Sequence, residues 1–180
     1  MAEPHRSGSD RPDLTERILV AARLLMFRVG ARRMSLTEVA TLAGVSRPTL
    51  YRYFQSKEDL VEALGKREYR RFNSLMHEAV SGLTGRQRLE AAIDVVAGVL
   101  EEQPPRHLIG LEPGFVNDEM AQVLPMMMDA LVGVLSPGTA DARDLAGAIA
   151  RTALSHYIFP DADAHTARRQ IRVAAGLPAS

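Results

Sequence analysis

Gly44–Leu60, GVSRPTLYRYFQSKEDL, sets two tyrosines, three basic residues, a proline and two helix-starting serines within 17 residues. Ser46 is positioned to cap a helix running through Phe54. Leu50 and Phe54, four residues apart, form its buried side together with Val45. Arg47, Pro48, Thr49, Tyr51, Arg52 and Tyr53 are then left on outer faces. Ser56 starts the next helix, and Asp59, three residues on, makes a shorter form of the capping box.

Working outward, SLTEVATLAG (35–44) predicts a short helix. Ser35 and Glu38 form a capping box at its start, Val39, Ala40 and Ala43 face inward, and Gly44 supplies the turn. A longer helix precedes it from about Asp13 to Val29, with Leu14, Ile18, Ala21, Ala22, Leu25 and Met26 on one face and Gly30 as its end. A short helix, a glycine turn and a second short helix make a helix-turn-helix, whose second helix lies in the DNA major groove. The exposed set suits that task. Arginine bonds a guanine edge with two hydrogen bonds, threonine and tyrosine hydroxyls suit phosphates, and proline can touch a thymine methyl. Lys57, at the start of the fourth helix, can join that helix's free amides in holding a phosphate. The competing reading is that both tyrosines complete a core and the charges form a solvated face.

The 180 residues suffice for one ordinary domain or two small ones. The net charge of zero hides an asymmetry: residues 1–76 carry 14 of the 22 Lys+Arg and 9 of the 22 Asp+Glu, so they are basic and the remainder is acidic. The absence of cysteine excludes a disulfide framework and thiolate metal sites, and fits a reducing compartment. No apolar run reaches the roughly 20 residues of a membrane span. The polar start, MAEPHRSGSDRPD, lacks a signal-peptide core, so residues 1–12 read as a disordered arm and the cytoplasm is the expected location, with no membrane partner.

MSLTEVATLAGVSRPTLYRYFQSKEDLVEAL (34–64) resembles the DNA-binding region of the tetracycline-repressor family of transcriptional regulators, and AARLLMFRVGARRMSL (21–36) resembles that family's first helix and turn. The similarity is specific from about Ile18 to Leu64; beyond residue 80 it is one of kind. It implies an all-α chain of about nine helices: a three-helix DNA-binding domain over 13–56, a connecting helix over 57–80, and a ligand-binding and dimerisation domain over 81–180. It also implies a homodimer on a palindromic double-stranded operator, with a small-molecule effector turning the connecting helix. Carried over by position, Arg47, Pro48 and Tyr51 are the candidate base readers. Ser35, Thr37, Thr49, Tyr53 and Lys57 are candidate phosphate contacts, Arg52 suits either role, and Ser46 completes the DNA-binding set. Arg6 and Arg11 of the arm are further candidates for backbone contact.

After residue 80 the pattern predicts helices near 85–102, 104–110, 117–135, 139–158 and 161–175, with Asn117, Thr139 and Asp161 as caps and Pro125 as a kink or break. In a fold of this kind the effector sits among the middle helices. Four of eight methionines fall between Met120 and Met128, and methionine adapts to irregular apolar cavities. Leu108, Ile109, Phe115, Met120, Val123, Leu124, Met127, Met128 and Leu131 are the candidate wall; ordinary core is the competing reading. His107, Glu112, Asn117 and His156 are candidate polar anchors. The five histidines are scattered without metal-ligand spacing, so neither metal nor cofactor is expected. The stripe Leu145, Ala146, Ile149, Thr152, Ala153 and Tyr157 is the candidate dimer surface, unless it packs only inside the monomer. An enzyme is disfavoured: there is no phosphate loop or nucleophile elbow, and adjacent Ser155 and His156 point about 100° apart on a helix. A helical protein-binding or ligand-binding module that no longer binds DNA is the remaining alternative.

Overall fold

The computed structural model describes residues 13–101, 113–135, 141–159 and 163–179. These form eight helices and, among the described residues, no strand: α1 (Leu14–Val29), α2 (Leu36–Ala43), α3 (Arg47–Tyr53), α4 (Lys57–Val80), α5 (Gly85–Glu101), α6 (Pro113–Val134), α7 (Ala142–Ile158) and α8 (Ala164–Ala174). The all-α class is as expected. The arm over 1–12 with Arg6 and Arg11, the helix over 104–110, His107, Glu112, and the caps Thr139 and Asp161 lie outside the described residues. The chain divides into two compact units between Arg67 and Glu68, within α4.

The first unit is built as its capping residues dictate. The Asp13 carboxylate accepts the Thr15 amide ahead of α1, and Gly30, at φ 88°, ends that helix. Ser35 and Glu38 close the capping box of α2, and Gly44 ends α2 in the left-handed conformation (φ 66°). Ser46 caps α3, and the Ser56 and Asp59 side chains each accept the other's backbone N–H at the start of α4. Ile18, Ala22, Val39, Leu50 and Leu60 are sealed from solvent in one core, joined by Leu19, Leu25, Met34, Ala40 and Phe54. Burying a leucine such as Leu50 contributes about 1.5–3 kcal/mol.

The second unit has its own core of Met76, Val80, Ile93, Val96, Leu131, Ile149, Ala153 and Ile171 with their neighbours. Two expectations need correction here. Helix α6 runs unbroken from Pro113 to Val134, so Pro125 does not split it, and Asn117 lies inside the helix instead of capping it. Proline removes one backbone donor from the ladder, a loss the rest of a 22-residue helix outlasts. The described cap of α8 is Asp163, whose carboxylate accepts the His165 amide.

The Arg88 guanidinium ties three helices together. Nε donates to the Val134 carbonyl at 2.6 Å and Nη1 to that of Val80 at 3.0 Å, so one cation serves the C-terminal ends of α4 and α6. Helix α8 lies along α5 through Arg168 to Asp94 (2.7 Å) and Glu101 (3.5 Å), and through Arg172 to Glu90 (3.5 Å). His156, almost fully buried, bonds Gln170 at 3.1 Å and so links α7 to α8.

Candidate nucleic-acid interface

Helix α3 is the candidate interface, and its inner side is fully committed to the core. Leu50 is 0 % exposed and Phe54 6 %, whereas Tyr51 is 46 % and Tyr53 41 % exposed. Arg47, Pro48 and Arg52 are exposed and Thr49 is half-buried. Pro48 occupies the first turn of the helix, where an N–H is dispensable. Arg47 and Tyr51 stand one turn apart on a common side, as do Pro48 and Arg52. The Arg52 guanidinium lies 5.6 Å from the Tyr53 ring centre, a distance suited to a cation–π contact.

The polar groups differ in what they have left to offer. The Ser35 hydroxyl donates to Glu38 Oε2 at 2.6 Å and accepts the Glu38 amide, so its proton is already used in the cap. The Ser46 and Thr49 hydroxyls bond each other at 2.8 Å, and Ser46 Oγ also accepts the Thr49 amide. Of their two hydroxyl protons, one remains for a phosphate. Lys57 Nζ donates to the Arg32 carbonyl at 3.1 Å and keeps two protons. Thr37 is half-buried in the first turn of α2.

Some contributors have no local pattern in the sequence. Arg32 and Arg33 are exposed on the turn that Lys57 holds, adding two positive charges beside it. Arg17 Nη2 donates to the Ala43 carbonyl at 2.7 Å and to that of Gly44 at 3.5 Å, and thereby braces the turn between α2 and α3. Arg67 grips Glu16 through Nε at 2.9 and 3.0 Å and through Nη2 at 2.5 Å. The partners in these pairs are 26 and 51 residues apart.

The candidate effector and dimer residues are distributed differently. Met127 and Leu131 are buried in the second core, with Val123, Leu124 and Met128 packed against it and Met120 half-buried. Phe115 lies on α6, while Leu108 and Ile109 fall outside the described residues. The proposed dimer stripe is turned largely inward within the single chain. Ala146, Ile149 and Ala153 are all 0 % exposed within the single chain, so they have no surface to give a partner. Leu145 packs against the same core, and Thr152 and Tyr157 stay half-buried. A Cβ placed on Gly147 of α7 would lie 2.6 Å from the Arg151 guanidinium of the same helix and at an ordinary contact distance, 3.4 Å, from the Met128 side chain of α6.

Two open grooves lie in the second unit. One, of about 580 Å³, is lined by Tyr69, Asn73 and His77 of α4, by Arg88, and by Asp129 and Gly133 of α6. The other, of about 500 Å³, is lined by Arg151, Thr152, Ser155, His156, Phe159 and Gln170. Among the described residues no cluster of histidine and carboxylate groups is arranged to hold a metal, and no helix is long and apolar enough to cross a membrane.

Known proteins place this arrangement. Residues 18–64 match the bacterial regulatory proteins of the tetR family. An uncharacterised HTH-type transcriptional regulator of Mycobacterium tuberculosis is 30% identical over 165 residues, which is 87% of this chain and 80% of that protein. The HTH-type transcriptional activator FasR of Mycolicibacterium smegmatis is 29% identical over 109 residues, covering 60% of this chain; the match spans 50% of FasR's own length. A TetR-family transcriptional regulator from Streptomyces coelicolor has a similar structure, with TM-score 0.63 and 26% identity over 91% of this chain and 98% of that one. With an exposed recognition helix in a matching fold, the chain belongs to the tetR family of bacterial regulatory proteins and is a DNA-binding transcriptional regulator.

Proposed function

We propose that the protein acts in the cytoplasm as a homodimeric repressor, each protomer offering α3 to one half of a palindromic operator, and that a small apolar or amphipathic molecule releases it. The observation that carries the DNA part is the contrast on α3, where a wholly buried Leu50 backs exposed Arg47, Pro48, Tyr51, Arg52 and Tyr53. Arg47, Pro48 and Tyr51 read bases in this scheme. Tyr53, Lys57 and the one remaining proton of the Ser46–Thr49 pair hold phosphates, with Thr37 acting from the start of α2, where Ser35 serves through the cap because its amide and hydroxyl protons both go to Glu38. Regulation of transcription needs no chemistry at this site, and the protein is read as a non-enzyme.

The effector reading is supported by the groove on α4 and α6. Its floor of Met76, Val80 and Val134 is apolar and continuous with the core holding Met127 and Leu131, while Tyr69, Asn73, His77 and Asp129 supply a polar rim. Apolar floor and polar rim together suit an amphipathic molecule. The methionines of α6 then back the site as deformable packing, and α4 passes from this groove into the DNA-binding unit.

The test is a pull-down of genomic fragments by the purified protein, followed by footprinting of the most enriched one. The expected result is a protected palindrome whose half-sites lie about one helical turn, ~34–36 Å, apart. Binding should weaken steeply as salt is added. No enrichment at low salt by folded protein would overturn the DNA reading. The sign of regulation follows from a reporter fused to the bound promoter. Deleting the regulator raises its output for a repressor and lowers it for an activator, the role that FasR is named for.

A further inference from the structure

We propose that Glu16 and Arg17, neighbours on α1, form a link in series that carries movement of α4 to the turn preceding the recognition helix. It deepens the effector-controlled reading above and rests on it. At one end is Arg67, the last residue of the first unit, located on α4. Its guanidinium holds the Glu16 carboxylate through both Nε and Nη2. Such a forked, charge-assisted pair fixes relative orientation as well as distance, which a single contact does not.

At the other end, Arg17 Nη2 donates to the carbonyls of Ala43 and Gly44. Ala43 is the final residue of α2 and Gly44 is its left-handed cap. Carbonyls there lack helical partners, and the end of the helix is electronegative, so a guanidinium is the complementary group. The fit is close: a Cβ on Gly44 would sit 3.2 Å from the same Arg17 Nη2. Two residues after Gly44, Ser46 caps α3. Consecutive residues of a helix point about 100° apart. Glu16 and Arg17 therefore hold different partners from one rigid turn of α1, and a rotation of α4 felt by Glu16 is transmitted to the α2–α3 turn by Arg17. Arg17 acts as a positioning residue for α3.

A double-mutant cycle on the full chain, with the enriched DNA fragment as ligand, tests the link. Arg67→Lys and Arg17→Lys keep their charges but lose the planar fork. Each is expected to weaken DNA binding about tenfold, the value of a charged hydrogen bond. Because the contacts act in series, the double variant should bind no worse than the weaker single. Losses that multiply, about a hundredfold for the double, would show independent sites and overturn the link. Singles that bind like the parent would overturn it too. Amide exchange of the DNA-free protein gives a second readout. Arg67→Lys should speed exchange at Gly44, whose N–H bonds the Ala40 and Thr41 carbonyls far along the chain from the substitution. An unchanged Gly44 rate would overturn the link, and a parent chain that enriches no DNA would remove the regulator reading while leaving this exchange measurement decisive for the link.

Discussion

At the scale of single residues, α3 separates stability from recognition within two helical turns. Leu50 makes no contact with solvent, while Arg47 projects from the first turn with no structural duty apparent in the fold. Leu50→Ala is expected to cost about 2–5 kcal/mol of unfolding free energy, through lost transfer energy and the cavity left behind. Arg47→Ala should leave stability within about 0.5 kcal/mol. Its effect belongs to DNA: a bidentate contact to guanine contributes about 1–3 kcal/mol of discrimination, so base preference at one operator position should relax by that amount. Urea melts and binding to operator variants measure the two effects separately. A large stability loss in Arg47→Ala, or an unchanged base preference, would show that this arginine is not a reader.

At the scale of elements, what was legible followed from local rules. Ser35 with Glu38 and Ser46 before Leu50 mark helix starts by hydrogen bonds that close within four residues, and the structure keeps each of them. Pro125 does not break α6, because a residue's local penalty says nothing of the packing that outweighs it along the helix. The stripe on α7 was ambiguous for a related reason. Small residues announce close approach, but the approaching helix is chosen by the tertiary fold, and Ala146, Ile149 and Ala153 meet their own chain. The braces at Arg17, Arg67 and Arg88 had no sequence pattern at all, since each joins residues on different elements. Asp163 offers an element-scale prediction. The His165 backbone N–H, followed by Thr166 and Arg169, stabilises its carboxylate and holds its pKa below the ordinary value of 3.8. A folded pKa below the unfolded one means that the cap's contribution is intact above the unfolded value and is lost as pH falls through the folded one. Carbon-detected NMR titration should therefore find an Asp163 midpoint below that of an unfolded-chain aspartate, with α8 amide protection falling as Asp163 protonates. A midpoint at or above 3.8 would mean that the cap is not formed in solution.

At the scale of the whole molecule, the α7 stripe keeps surface for a partner only at Leu145, Thr152 and Tyr157, so the proposed dimer contact extends to other residues of the second unit. Phe159 is 73 % exposed and lines the groove that includes Thr152 and Gln170, and Val173 is 59 % exposed on α8. Val173 lies three residues after Gln170, hence on a neighbouring side of α8. Single exposed apolar side chains are ordinary on a protein surface; the two count as a contact through the homodimer reading, since a second copy of the chain is the occupant that a palindromic operator calls for. The prediction is that Phe159→Asp and Val173→Asp each shift sedimentation toward the monomer at micromolar concentration without lowering the helical signal. Operator binding should fall with the dimer, because each half-site alone loses the effective concentration that linking supplies, roughly 10²- to 10⁴-fold. Binding to one isolated half-site should be unchanged, since α3 belongs to the other unit. If both variants sediment as the parent does, the dimer contact lies elsewhere on the chain. If they become monomeric yet bind the full operator as tightly as before, regulation does not depend on pairing recognition helices, and the homodimer proposal fails with its operator geometry.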